Sequence, residues 1–215
     1  MKLVVLISGR GSNLKAIAQA FKERKIKGRI SLVISNKKDA HGLEVAREYG
    51  IPSEFHDPSV FKTREEYDIH LVERIKKEKP DLVVLAGYMR ILSDYFIESF
   101  EGKLINIHPS LTPAFTGLKA QKQAIQYGAK FSGCTVHFVT KELDAGPVVI
   151  QAVVPIKPDD TEHTLSDKIL QYEHRIYPQA VKWISEGRIK VKGRQVIVEG
   201  AEYGTLPVNP ALEDF

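Results

Sequence analysis

Two polar side chains lie in a short apolar run near the middle of the chain. Asn106 and His108 are two residues apart in Leu104–His108, a run that predicts a buried strand and points both side chains to one face. Open α/β sheets bind ligands beyond the carboxyl ends of their strands, where this pair is expected. An amide and an imidazolium directed at one point can stabilise a developing oxyanion. The pair therefore favours acyl-type chemistry.

A carboxylate that could serve this pair follows later in the chain. Asp144 lies in a loop, Lys141–Pro147, between two predicted antiparallel strands, Ser132–Thr140 and Val148–Val154. A carboxylate beside an imidazole favours the imidazolium, so we expect Asp144 to approach His108. That set suits acyl transfer to an amine without a covalent enzyme intermediate. The alternative is a hydrogen-bonded core histidine and a turn aspartate, and spacing alone does not decide between them.

Other catalytic classes fit the sequence less well. Ser110 lacks the Gly-x-Ser-x-Gly setting of a serine hydrolase nucleophile. The remaining histidines show no His-Glu-x-x-His or similar ligand spacing, so no metal is predicted. Cys134, the single cysteine, is interpreted as a small apolar strand residue rather than a nucleophile.

A glycine turn, Gly9–Asn13, separates the first predicted strand, Lys2–Ser8, from the first helix. Glycines let the backbone approach a ligand closely, and the free N–H groups of a helix start favour a phosphate. Ser12 could cap the helix or donate to that phosphate. The alternative is a tight structural turn. Leu14 replaces the third glycine of a dinucleotide fingerprint, so a single phosphate fits better.

The order of predicted elements indicates the fold class. Strands alternate with helices in the first half, which predicts an α/β fold: an open, mostly parallel Rossmann-like sheet with helices on both faces and antiparallel strands in the second half. A long helix is predicted over Thr164–Gly187, where Pro178 is expected to kink or divide it. We expect residues 1–188 to form the catalytic domain and residues 189–215 a hairpin and surface tail packed on it.

Composition excludes several kinds of protein. The longest apolar runs are far too short to cross a bilayer, and the start of the chain lacks the features of a signal peptide. One cysteine fits a reducing compartment, so a cytoplasmic protein is expected. The net charge of +4 comes without aromatic interleaving, so neither nucleic acid nor membrane is predicted as a partner. Small molecules are the expected partners, for a monomer or homodimer.

Residues 1 to about 190 resemble the folate-dependent formyltransferases, in particular the phosphoribosylglycinamide formyltransferases of purine biosynthesis. The resemblance rests on several motifs in the right order rather than on any one of them. They are Ser8–Leu14, Val84–Leu92, Asn106–Leu111, Gly133–Val139, Asp144–Val148 and Glu173-His174.

The resemblance implies formyl transfer from 10-formyltetrahydrofolate, as co-substrate, to the amine of 5-phosphoribosylglycinamide. It also implies a role for each matching residue. Those roles are oxyanion stabilisation by Asn106 and His108; maintenance of the His108 charge, and proton transfer through a water, by Asp144; phosphate binding by Gly11, Ser12 and Asn13; substrate contact by Glu173; and folate binding by Arg64, Met89, Arg90, Ile91 and Leu92.

Three positions depart from the family pattern, and two other functions remain open. Thr112, Lys119 and Leu170 stand where the family often has leucine, histidine and glutamine. A formyltetrahydrofolate hydrolase could use the same three catalytic residues with water replacing the amine. A nucleotide-binding module without catalysis would explain the glycine turn but leave those three residues without a role. The glycine turn favours the transferase, because it suits a phosphorylated acceptor.

Overall fold

The computed structural model describes residues 1–213, which form two compact units. The first comprises residues 1–106 and the second begins at residue 107. Strand β5 passes from the first unit into the second, so Asn106 is the last residue of one and His108 the second residue of the other.

The first unit is a parallel sheet with strand order β5-β4-β1-β2-β3. Its strands are apolar runs, and Leu3 to Ile7 are completely buried, as expected for a strand covered on both faces. The strands are β1 (Lys2–Ile7), β2 (Arg29–Ser35), β3 (Ser53–Phe55), β4 (Leu82–Leu85) and β5 (Leu104–His108).

Four α-helices connect these strands: α1 (Ser12–Lys22), α2 (His41–Glu48), α3 (Arg64–Glu78) and α4 (Asp94–Ser99). A 3-10 turn at Pro58–Val60 precedes α3. Right-handed crossovers in this strand order put α1 and α2 on one face and α3 and α4 on the other. The helices of each pair also contact one another. The carboxyl ends of β1 and β4 therefore lead into the segments that carry several predicted site residues.

The second unit contains antiparallel strands beside one long helix. Its elements are α5 (Ala120–Tyr127), β6 (Phe131–Phe138), β7 (Val148–Pro155), α6 (Glu162–Ser185), β8 (Ile189–Lys192), β9 (Gln195–Val198) and β10 (Val208–Asn209). Strand β7 pairs antiparallel with β6 and β10, while β8 and β9 form a separate hairpin. Helix α6 packs against β6 and β7.

The predicted α/β, Rossmann-like class is confirmed, but the long helix differs from one of its two expected forms. Pro178 does not divide α6, which runs unbroken from Glu162 to Ser185. Its neighbours Ile176, Tyr177 and Ala180 are completely buried. Their burial offsets the roughly 3 kcal/mol that an internal proline costs a helix.

The tail, which is expected to pack on the surface of the domain, is held in part by the sheet. Val208 and Asn209 pair with Ala152 and Gln151 of β7, so part of the tail joins the sheet. The end of the described chain is also held, because the Glu213 backbone N–H donates to Gln179 Oε1 over 3.2 Å. Residues 214 and 215, included in the predicted tail, lie outside the described residues.

Candidate active site

The second unit brings His108 and Asp144 together. Their side chains lie 3.4 Å apart, from imidazole Nδ1 to carboxylate Oδ2, and both are more than nine-tenths buried. His108 is the last residue of β5, while Asp144 lies in the loop between β6 and β7. Loss of solvent screening strengthens the attraction between an imidazolium and a carboxylate at this distance.

Two backbone groups complete the surroundings of this pair. The Phe115 carbonyl lies 2.9 Å from His108 Nε2, so this nitrogen must donate. The Gly117 N–H donates to Asp144 Oδ2 over 2.8 Å. An imidazolium, which donates from both nitrogens, satisfies the Phe115 carbonyl and the Asp144 carboxylate at once. The arrangement suits a histidine that carries positive charge.

A second histidine, His137, faces the same carboxylate, and its surroundings favour the neutral form. His137 Nε2 lies 3.8 Å from Asp144 Oδ1, beyond hydrogen-bond distance, while its Nδ1 donates to the Phe138 carbonyl over 2.9 Å. Burial lowers the pKa of His137, although the Phe138 carbonyl and Asp144 act in the opposite direction. His137 is therefore expected to be neutral at pH 7.

The segment after His108 is held by side chains of β6 and β7. The Thr135 hydroxyl donates to the Ser110 carbonyl over 2.7 Å and accepts from the Thr112 N–H over 3.2 Å. Gln151 Nε2 donates to the Thr112 carbonyl over 3.1 Å. Because these bonds use the Thr112 backbone, a threonine at this position is compatible with them.

Glu173 lies on the buried stripe of α6 and is 6 % exposed. Its carboxylate is near enough to Cys134 to help burial raise the pKa of that thiol. Cys134 is completely buried in β6, which agrees with its interpretation as a small strand residue and disfavours a thiolate nucleophile.

In the first unit, the glycine turn follows β1 and opens α1. Gly11 is the N-cap residue, with φ of 74°, and the side chain of Ser12 does not cap the helix. Of the two roles open to Ser12, helix capping is not observed, because Gly11 occupies the cap position and Ser12 begins the helix. Gly42 N–H donates to the Gly9 carbonyl over 2.9 Å. Helix α1 thus presents its first N–H groups, including those of Ser12 and Asn13, without a side-chain cap.

The predicted folate-binding residues also lie in the first unit. Met89 and Ile91 are each 63 % exposed, whereas Leu92 is buried. Arg64 begins α3 and pairs with Glu65 over 3.0 Å.

Asn106 is half-buried on β5, two residues before His108, so the strand directs both side chains to the same face.

Most of the chain is similar to known proteins of one kind. Residues 1–181 match the formyl transferase family. The chain is 48% identical over 200 residues to phosphoribosylglycinamide formyltransferase of Escherichia coli (strain K12), covering 93% of this chain and 94% of that protein.

The chain belongs to the formyl transferase family. A crystal structure of glycinamide ribonucleotide transformylase 1 from Symbiobacterium toebii is similar to it with a TM-score of 0.90 and 46% identity, covering 92% of this chain and 93% of that one. The human trifunctional purine biosynthetic protein adenosine-3 is 41% identical over 190 residues, which are 88% of this chain and 19% of that protein. The predicted resemblance is confirmed.

Two contributions to this candidate site were not predicted from the sequence. The first is the pair of backbone groups of Phe115 and Gly117, because the residue types at these positions do not indicate what their backbone groups contact. The second is His137, which could have been found, because it is a polar residue near the end of a buried strand, just before the loop that carries Asp144.

In residues 1–213, no three His, Cys, Asp or Glu side chains are grouped so as to hold a metal ion. Within the same residues, no helix has the length and apolar character needed to span a membrane.

Proposed function

We propose that this formyl transferase moves a formyl group from 10-formyltetrahydrofolate to the amine of 5-phosphoribosylglycinamide. The observation that carries the proposal is the buried His108–Asp144 pair, 3.4 Å apart at the end of β5, in a chain of this family. A pair of this kind holds positive charge where a formyl oxygen becomes negative.

The amine attacks the formyl carbon directly. The new C–N bond forms while the carbonyl π electrons move to oxygen, which gives a tetrahedral oxyanion. Asn106 and the His108 imidazolium donate to this oxygen, and Asp144 keeps His108 charged. A proton then passes from the attacking nitrogen to folate N10, through a water that contacts Asp144. The C–N10 bond breaks, and the products are the formylated amine and tetrahydrofolate.

The remaining predicted residues bind the two substrates in this proposal. The phosphate is assigned to the N–H groups of Gly11, Ser12 and Asn13, because a helix start attracts an anion. Glu173 contacts the acceptor. The folate is assigned to the segment Met89–Leu92, whose two exposed apolar side chains suit a flat ring system, with Arg64 toward its acidic end.

The Phe115 carbonyl must move away from His108 Nε2 for this chemistry. It accepts the hydrogen bond of His108 Nε2, the N–H that the oxyanion needs. Phe115 has φ of 52°, a conformation that is uncommon for a bulky residue. Substrate binding in our proposal replaces this carbonyl with the formyl oxygen, which makes a stronger, charge-assisted hydrogen bond in the transition state.

An assay with both substrates separates the possible functions. The purified chain is mixed with 10-formyltetrahydrofolate, with and without phosphoribosylglycinamide, and the folate absorbance is followed. We expect turnover only when the amine is present. Equal turnover without the amine would instead indicate a hydrolase, and binding of both ligands without turnover would indicate a module that does not catalyse.

A further inference from the structure

We propose that Asp68 is a positioning residue that fixes the folate loop, defined as residues 88–93. This inference rests on the proposed function, because it assumes that Met89–Leu92 bind the folate. The loop has no regular secondary structure, so its conformation depends on contacts with neighbouring elements. Nothing in the family resemblance assigns a role to Asp68.

The first end of the folate loop is held by Ser8, the residue that follows β1. The Met89 N–H donates to the Ser8 hydroxyl over 2.7 Å, and that hydroxyl donates to Asn36 Oδ1 over 2.6 Å. The Ser8 N–H also donates to the Gly87 carbonyl over 3.1 Å. Ser8 is 4 % exposed, so these bonds are shielded from water.

Asp68 of α3 holds the other end of the folate loop. Its Oδ2 accepts the Ser93 N–H over 2.5 Å. Ser93 is the N-cap of α4, and its side chain accepts from the Phe96 N–H. The aspartate therefore fixes the point at which the loop turns into a helix. Only 1 % of Asp68 is exposed, and burial raises the pKa of its carboxyl group, so this contact is maintained against a cost of desolvation.

The middle of the folate loop is held by the same turn of α3. The guanidinium carbon of Arg90 lies 4.9 Å from the centre of the Tyr67 ring. The Arg90 charge also acts on Asp68, where it opposes the rise in pKa that burial causes. Tyr67 is in turn anchored, because its hydroxyl donates to the His56 carbonyl over 3.1 Å. A cation–π contact to Tyr67, together with the electrostatic attraction of Asp68, thus restrains Arg90.

These anchors leave two apolar side chains outside. Met89 and Ile91 are each 63 % exposed, although the backbone that carries them is fixed at both ends. A binding surface that is already in its bound conformation loses little entropy on binding. Asp68 is thus expected to act on folate affinity through the loop, without touching the folate.

Two variants of Asp68 and one control test this role. Asp68→Ala removes both the acceptor for Ser93 and the charge near Arg90, whereas Asp68→Asn keeps an acceptor oxygen and removes only the charge. Val72→Ala is the control, because Val72 is completely buried on the same helix and shortening it costs stability without altering these contacts. The readouts are the KM for each substrate, kcat, and amide hydrogen exchange at residues 89–93.

We expect Asp68→Ala to raise the KM for 10-formyltetrahydrofolate about tenfold, in line with an orphaned buried donor, and that for phosphoribosylglycinamide by less than about twofold. Exchange at Ser93 should accelerate. Asp68→Asn should recover most of the loss, leaving roughly a threefold increase in the folate KM. Val72→Ala should lower the Tm without this split between substrates.

Several results would overturn the assignment. It fails if both KM values rise together in the Asp68 variants, or if Val72→Ala gives the same split. If Asp68→Ala does not fold, an unchanged folate KM in Asp68→Asn is decisive against it. If the unaltered chain transfers no formyl group from the folate, the proposed function fails instead, and this inference falls with it before any variant is measured.

Discussion

Two histidines face the Asp144 carboxylate in different ways. His108 lies 3.4 Å from Oδ2, whereas His137 lies 3.8 Å from Oδ1 and commits its Nδ1 proton to the Phe138 carbonyl. Burial lowers the pKa of His137, so protonation of both rings beside one carboxylate is avoided. In the proposed mechanism, the Asp144 carboxylate is matched with the His108 imidazolium alone, and this imidazolium stabilises the oxyanion.

At the same scale, Asn106→Ala tests whether the amide acts on the transition state. Removal of one oxyanion donor should lower kcat by roughly 100-fold, on the order of 3 kcal/mol, because the developing charge loses a donor that the ground state hardly uses. Both KM values should change little. Steady-state kinetics check this, and a raised KM with unchanged kcat would assign Asn106 to substrate binding instead.

At the scale of elements, the turn between β1 and α1 is constrained by two glycines. A Cβ on Gly11 would lie 2.5 Å from the Gly42 Cα, and Gly11 has φ of +74°. Gly11→Ala should therefore lower the free energy of unfolding by more than the roughly 1–2 kcal/mol that left-handed strain alone costs. It should also displace the start of α1. If that helix start binds the phosphate, the KM for phosphoribosylglycinamide should rise roughly tenfold, as for one lost charge-assisted hydrogen bond.

Gly50→Ala is the matched control for this change. Gly50 has φ of +65°, but nothing lies within 4 Å of an added Cβ, so only the backbone strain is introduced. It should lower the free energy of unfolding, measured by urea titration, and leave both KM values as they are. If the two variants changed the KM for phosphoribosylglycinamide equally, the glycine turn would not be the phosphate-binding site.

The elements that could be predicted are those with strong periodicity. The apolar run of β5 occupies the predicted residues, Leu104–His108. Helix α5 was missed, because only Ala120 and Ala124 are buried on it and no apolar stripe marks it. Strands β3 and β10 have three and two residues, too few for any pattern.

In the candidate site, side chains could be predicted from the sequence, whereas backbone groups could not. His108 and Asp144 could be selected as chemical types at a strand end and in a loop, and the structure places them 3.4 Å apart. The Phe115 carbonyl and Gly117 N–H could not be selected, since they depend on the path of the segment after β5. That path is set by bonds from Thr135 and Gln151, which come later in the chain.

At the scale of the whole molecule, histidines that are wholly or partly buried should make stability depend on pH. Burial lowers the pKa values of His70, His137 and His174 below the ordinary 6.5. Below that pH the unfolded chain takes up protons that the folded chain does not, so the free energy of unfolding falls as the pH falls. The slope is at most about 1.4 kcal/mol per pH unit for each histidine. Asp68 opposes this, since its raised pKa favours the folded state on acidification.

Urea unfolding at pH 7.5 and pH 5.5 measures this dependence. We expect the lower free energy of unfolding at pH 5.5, and a smaller difference between the two pH values in His174→Gln, which removes one of the three groups. A free energy that is constant or rises toward pH 5.5 would show that the histidines titrate normally or that Asp68 dominates.

The central claim is that Asp144 holds His108 in the charged state that stabilises the oxyanion. The most direct measurement is the pH dependence of kcat for Asp144→Asn beside the unaltered chain. The amide cannot hold an imidazolium, so kcat should fall roughly 100-fold or more at pH 7.5 and recover in part toward acid pH, while both KM values stay near those of the unaltered chain. A variant whose kcat and pH profile match those of the unaltered chain would contradict the claim.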